Sequence, residues 1–79
     1  MRAVPLTMLR PGMKGRVVAI HGGRGLAMRL YQMGFILNTV IEVISNNRGP
    51  VIVRVRGATV ALGRGIASRI MITPMATYK

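Results

Sequence analysis

His21 and Glu42 are the only histidine and the only acid in this 79-residue chain, and cysteine is absent. Side-chain catalysis needs an acid or base of tuned pKa, usually oriented by a second ionisable group. A Ser-His-Asp triad, a carboxylate pair and a Cys-His dyad are therefore all excluded. Metal chemistry is served almost as badly. Zinc takes about four N, S or O ligands and calcium about six or more oxygens, so only a site shared between chains could be completed. His21 reads more simply as a polar residue at a strand end. The expectation is a non-enzymatic protein with no cofactor and no metal ligand.

Two glycine clusters are the remaining chemical candidates. Gly22-Gly23-Arg24-Gly25 falls between a predicted strand and a predicted helix, the right context for an anion at a helix N-terminus. A P-loop, however, ends in Gly-Lys-Ser/Thr, and the dinucleotide fingerprint ends in a third small residue. Gly23-Arg24-Gly25-Leu26-Ala27-Met28 ends in Met, and Gly63-Arg64-Gly65 runs into Ile66-Ala67-Ser68. These glycines are read instead as corners, where a missing Cβ permits sharp bends and positive φ.

Charge carries the next signal. Twelve Lys and Arg face Glu42 alone, giving a formal net charge of +11 and a pI near 12.0. Such a field attracts nucleic acid, anionic lipid or an acidic protein without choosing among them. Arg54 and Arg56 could be a nucleic-acid footprint, but stacking platforms interleave aromatic rings with the cations. Tyr31, Phe35 and Tyr78 are the only aromatics and none falls on a predicted strand, so the two arginines read as a solvated face. The chain is 51% hydrophobic, too apolar for intrinsic disorder. With no run of ~18 apolar residues to span a membrane and no cysteine for a disulfide framework, the expectation is a chain with neither, and without a secretory leader. The expectation is one cytoplasmic domain over residues 1–79, with 74–79 a frayed tail.

The elements that must position these residues follow from periodicity and punctuation. Leu6 to Arg10 is a helical turn or irregular lead-in, stopped by Pro11-Gly12. Arg16–Ile20 is a β-branched first strand between glycines. Leu26, Leu30 and Met33 recur at i, i+4 and i+7, which predicts one helix of about ten residues, closed by Gly34 in the left-handed C′ position. Val40–Ile44 is the second strand, and Ser45 to Pro50, including Gly49, is a polar turn. Val51–Arg56 alternates cleanly, with Val51, Val53 and Val55 inward and Arg54 and Arg56 outward. Gly57-Ala58 forms a hairpin into Thr59–Leu62, Gly63–Ala67 a 3₁₀-like turn, and Arg69–Thr73 the last strand. Five short strands and one helix predict a small, strongly bent barrel. The same alternation turns Val18, Ile52 and Met71 outward. Apolar residues exposed beside a basic surface mark a docking patch, with Arg29 as its charged neighbour.

With the elements placed, the chain resembles the FeoA family, small accessory proteins of bacterial and archaeal ferrous iron uptake. The likeness runs from Leu6, Leu9, Pro11-Gly12 and Gly15 through Val17, Ile20 and Gly22-Gly23. It continues as Leu26-x-x-Arg29-Leu30-x-x-Met33-Gly34-Phe35, Ile41-x-Val43, Gly49-Pro50 and Val53-x-Val55-x-Gly57. It ends with Ala61-Leu62-Gly63-Arg64, Ala67 and Ile70. The resemblance implies an SH3-like barrel with the helix inserted after the first strand, and a role beside FeoB, the membrane permease that carries a cytoplasmic GTPase domain. It thereby implies a place at the inner face of the plasma membrane; contact with a polyanion or anionic lipid, and assembly with further copies, stay open. A similar barrel ends the iron-dependent repressors, but no DNA-binding helix pair precedes it here. The single acid departs from what the family leads one to expect. An alternative is a small RNA- or ribosome-binding barrel, because Lys14 to Gly23 is similar to the basic strand-and-glycine stretch of ribosomal barrels.

Overall fold

The computed structural model describes residues 2–75. The inward alternation of Val51, Val53 and Val55 is shared by the whole sheet that they join. Strands β1 (Val4–Pro5), β2 (Lys14–Ile20), β3 (Val40–Asn46), β4 (Val51–Val55), β5 (Ala58–Leu62) and β6 (Ile70–Pro74) form one sheet in the order β1-β6-β2-β3-β4-β5. Every neighbouring pair is antiparallel. A 3₁₀ turn, Leu6–Met8, follows β1; helix α1 (Arg24–Gln32) links β2 to β3; the single-turn helix α2 (Arg64–Ala67) links β5 to β6.

Val17, Ile41, Val43, Val51, Val53, Val55, Leu62, Ile70 and Ile72 are all buried in one core. Five strands can send one face into a single core only if the sheet curls round it. Two bulges supply the bend. The register shifts between Val17 and Ala19 where β2 meets β6, and between Val43 and Ser45 where β3 meets β4. Val18 and Ile44 are the extra residues, and such insertions increase local twist. Closeness is bought at Gly15, which is buried on β2 opposite Pro74. A Cβ there would run into Ile72 Cγ2 and press on the Thr73 carbonyl at 3.0 Å.

Helix α1 starts two residues earlier than its apolar spacing predicts and seals against the barrel through Leu30, which is buried. Its end is a Schellman turn. Gly34, at φ +105°, donates to the Tyr31 carbonyl at 3.0 Å, and Phe35 donates to the Leu30 carbonyl at 2.9 Å. That turn swings Phe35 into the core beside Leu30, and Phe35 takes the place that i+7 spacing assigned to Met33. Met33 is 38% exposed and Leu26 half-buried, so the expected Leu26-Leu30-Met33 face reduces to Leu30 with Leu26 at its margin.

Other expectations shift for local reasons. Among the described residues a sixth strand joins the expected five, because Val4–Pro5 pairs with Met71 and Ile72; two residues are too few to show periodicity, and a proline is tolerated on an edge. The β4–β5 hairpin turns on Arg56-Gly57, at φ +50° and +82°, not on Gly57-Ala58. Positive φ at both central residues is the type I′ geometry that matches strand twist, and arginine is an uncommon occupant. Residues 64–67 are α-helical and not 3₁₀, since Ala67 and Ser68 donate to Gly63 and Arg64, both at 2.9 Å. Strand β3 runs on to Asn46, inside the expected turn. Pro74 pairs with Gly15, and Met75 donates to the Lys14 carbonyl at 2.9 Å, so the expected frayed tail is ordered at both; residues 76–79 lie outside the described residues.

Replacing Leu30 with Ala should cost about 2–5 kcal/mol through lost burial and a cavity, and Gly15→Ala about 1–3 kcal/mol through overpacking. Both are read as a lowered urea midpoint with unchanged m; an unchanged midpoint for Leu30→Ala would show that the helix is not held by this contact.

Candidate docking surface

The ionisable groups that could do chemistry are spread apart. His21 is exposed beyond the end of β2, and its backbone N–H donates to the Arg69 carbonyl at 2.7 Å. Glu42 lies opposite Lys14 at the other end of β2 and meets Arg54 at 3.6 Å. That pair is solvent-exposed and contributes about 0–1 kcal/mol. His21 lies seven positions along the chain from Lys14, roughly 20 Å of strand rise, so His21 and Glu42 share no site. Among the described residues no three His, Cys, Asp or Glu gather.

The glycine corners are structural. Gly22 has φ +137°, and a Cβ there would sit 2.9 Å from Leu26 Cδ2. Gly23 and Gly63 are instead extended residues that precede α1 and α2. Leu62 is buried beside the second corner, where Arg64 has a role that the sequence did not disclose. Its Nη1 donates to Asn46 Oδ1 at 2.8 Å, to the Asn47 carbonyl at 2.7 Å and to that of Gly49 at 3.2 Å. Asn46 Nδ2 in turn donates to the carbonyls of Thr7 at 2.9 Å and Leu9 at 2.6 Å. The cation is thus spent on the Gly49-Pro50 turn and the N-terminal 3₁₀ segment, and is held without a carboxylate.

The unpaired apolar surface lies elsewhere. Met28, Tyr31, Met33, Ile36, Leu37 and Val40 are all large and exposed, from 38% to 56%, and they fall in one stretch running from α1 into β3. On the helix, Met28 is two residues from Leu30, about 200° round the axis, and so points away from the core. Beyond Gly34 the chain turns at Leu37-Asn38, with Asn38 at φ +76° and the Thr39 N–H on the Ile36 carbonyl at 3.0 Å. Asn38 also donates to the Val17 carbonyl at 2.7 Å, which sets this turn beside the β2 bulge and brings Val18, 37% exposed, to the margin.

Arginines ring this surface. Arg24 and Arg29 are exposed on α1. Arg16 Nη1 donates to the Asn38 carbonyl at 3.4 Å. Arg56 lays its stem along Gly34, whose added Cβ would lie 3.3 Å from Arg56 Cδ. The arrangement is a run of exposed apolar side chains with arginines on the same helix and beside the turn that follows it.

Of the four residues expected at a docking patch, two belong here: Val18 at the margin and Arg29 in the rim. Met71 is half-buried on β6 opposite Ala19, next to Val18 but behind it. Ile52 is half-buried on β4 between Ser45 and Ala61, at the end of β3 far from Val40, so it does not join the others. The residues that alternation overlooked are those outside strands. Ile36-Leu37, two large aliphatic residues directly before Asn38-Thr39, carried the readable signal.

Two measurements follow. Calorimetry should find no stoichiometric, submicromolar ferrous iron site on one chain, since one His and one Glu cannot complete a shell; such a site would overturn the assignment. Asn46→Ala should cost about 1–3 kcal/mol in chemical unfolding, because it strands half-buried polar groups.

Comparison with known proteins agrees with this architecture. The FeoA domain matches residues 4–74. A protein described as "Putative Fe(2+) transport protein A" from Methanocaldococcus jannaschii is 38% identical over 68 residues, 86% of this chain and 83% of that one. The crystal structure of an iron uptake regulatory protein (FeoA) superposes with TM-score 0.87 at 37% identity, over 95% of this chain and 100% of the other. A manganese-dependent transcriptional repressor gives TM-score 0.88 at 24% identity, over 95% of this chain but 42% of the repressor; at that identity it shares the fold alone. The curled six-stranded sheet is an SH3-like barrel.

Proposed function

This chain belongs to the FeoA family of ferrous iron transport proteins, and on that premise we propose that it is a non-catalytic accessory that docks on a FeoB-type permease at the inner face of the plasma membrane. The observation that carries the reading is the apolar surface of Met28, Tyr31, Met33, Ile36 and Leu37 inside a ring of Arg16, Arg24, Arg29 and Arg56. Buried apolar anchors set affinity, while charged rims steer approach and fix orientation. A chain with one acid and no gathered ligand set contributes to iron uptake through such a contact and not by carrying the ion.

The competing attraction is to nucleic acid, and salt separates the two. Polyanion binding that neutralises Z phosphates falls with a log–log slope of about −0.9Z on duplex, so adhesion at low salt says little. Titrated against the cytoplasmic part of the permease, the protein should keep its affinity near physiological salt, where RNA and DNA binding becomes weak and indifferent to sequence. Met28→Asp and Leu37→Asp should each weaken the permease contact at least about tenfold, ~1.4 kcal/mol, without lowering the unfolding midpoint. Ile52→Asp should leave it unchanged. Sequence-selective, salt-resistant RNA binding with no permease contact would replace this reading with that of an RNA-binding barrel.

A further inference from the structure

Strand β5 ends the sheet, and its hairpin geometry fixes which backbone groups it leaves outward. A two-residue I′ turn at Arg56-Gly57 closes on a hydrogen-bonded pair, here Val55 and Ala58. Antiparallel ladders alternate bonded and non-bonded pairs, and the β4–β5 register runs without a shift. Val53–Val60 and Val51–Leu62 are therefore bonded pairs as well. Thr59 and Ala61, opposite Arg54 and Ile52, turn their N–H and C=O groups away from β4 into the sheet edge. Among the described residues no hydrogen bond reaches those groups from that side.

Edges of this kind are normally blunted by lysine, proline, a bulge or a covering loop. Of the twelve cations not one falls within Ala58–Leu62, nor does a proline or a bulge. Thr59 and Ala61 are exposed. The opposite edge differs, since β1 is two residues long and contains Pro5.

We propose that the outer edge of β5 is a strand-acceptor site that takes an extended, acidic segment of a partner protein by sheet addition. The alternating donors and acceptors of Thr59 and Ala61 are matched by another peptide backbone; a nucleic-acid strand has no such ladder to offer. Charge selects the partner. A second copy would bring another +11 and be repelled, whereas a strand carrying Asp or Glu is drawn in by the same field. The missing edge guards are thus supplied by net charge, which blocks self-pairing and admits an acidic strand. This site is on a different strand from the arginine-ringed surface and stands whether or not the permease is the protein docked there.

The test uses the whole chain, isotope-labelled, with an end-blocked peptide of about seven residues alternating Val and Glu, enough to span an ordinary strand. Amide exchange of Thr59 and Ala61 should slow at least about tenfold on adding the peptide, and the same peptide with Lys for Glu should have no effect. Ala61→Pro removes one outward N–H without touching a bonded pair of the hairpin, so it should abolish the protection while the core resonances stay in place. If that variant does not fold, the wild-type exchange pattern decides alone. Thr59 and Ala61 amides already protected in the free protein, equal effects of the Glu and Lys peptides, or concentration-dependent pairing of two copies through β5 would each overturn the proposal.

Discussion

The fold depends on packing one apolar core without help from ion pairs. Glu42 can offset one cation, and it does so at the surface; no polar or charged side chain is buried among the described residues. Stability therefore comes from Val, Ile and Leu on the inner faces of five strands, with Leu30 and Phe35 plugging one opening and Leu6 and Leu9 packed into the same core. Such a core is sensitive to shape. A glycine where β2 meets β6, a bulge at Val18 and another at Ile44 are the adjustments that let a short sheet curl far enough to close on itself.

The same scarcity of acids explains how the cations are placed. Arg64 is satisfied by carbonyls and an asparagine, Arg16 reaches a carbonyl, and Arg56 lies along a glycine. The other arginines stay in water. A surface assembled this way is positive all round, so selectivity must come from where apolar side chains break through it. They do so mainly along α1 and its connection to β3, with Val18, Val40 and Ile44 on the strands and Met8 in the N-terminal turn.

Much of this was legible in the sequence, and the failures have a common physical cause. Alternation located the core face of β4 because Val51, Val53 and Val55 answer to a single period, and Gly34 announced the helix end because few other residues accept its φ. The element order and the FeoA likeness followed. What stayed hidden depends on side chains reaching across the chain or on backbone that breaks its period. Asn46 looked like a turn residue because its partners, Thr7 and Leu9, are remote in sequence. Arg56 looked like a strand residue because positive φ carries no signature in an arginine. Met33 looked buried because a helical wheel does not foresee the Schellman turn that hands its place to Phe35. For exposure, Val18 and Arg29 were readable from pattern, while Met28 and Leu37 required knowing which face of α1 and which turn the barrel leaves uncovered.

The Arg64–Asn46 bracket also bears on the order of events in folding. Its hydrogen bonds join residues separated by 15 to 39 positions: those of Asn46 need β3 set beside the N-terminal segment, and those of Arg64 need α2 set beside the end of β3 and the turn after it. Contacts of such long range close late, after the entropy of the intervening loops has been lost. Interactions absent from the transition state slow unfolding while leaving folding speed alone. A bracket that closes after the transition state would act as a latch on the finished barrel, contributing little to how quickly the chain finds its shape and much to how long it keeps it.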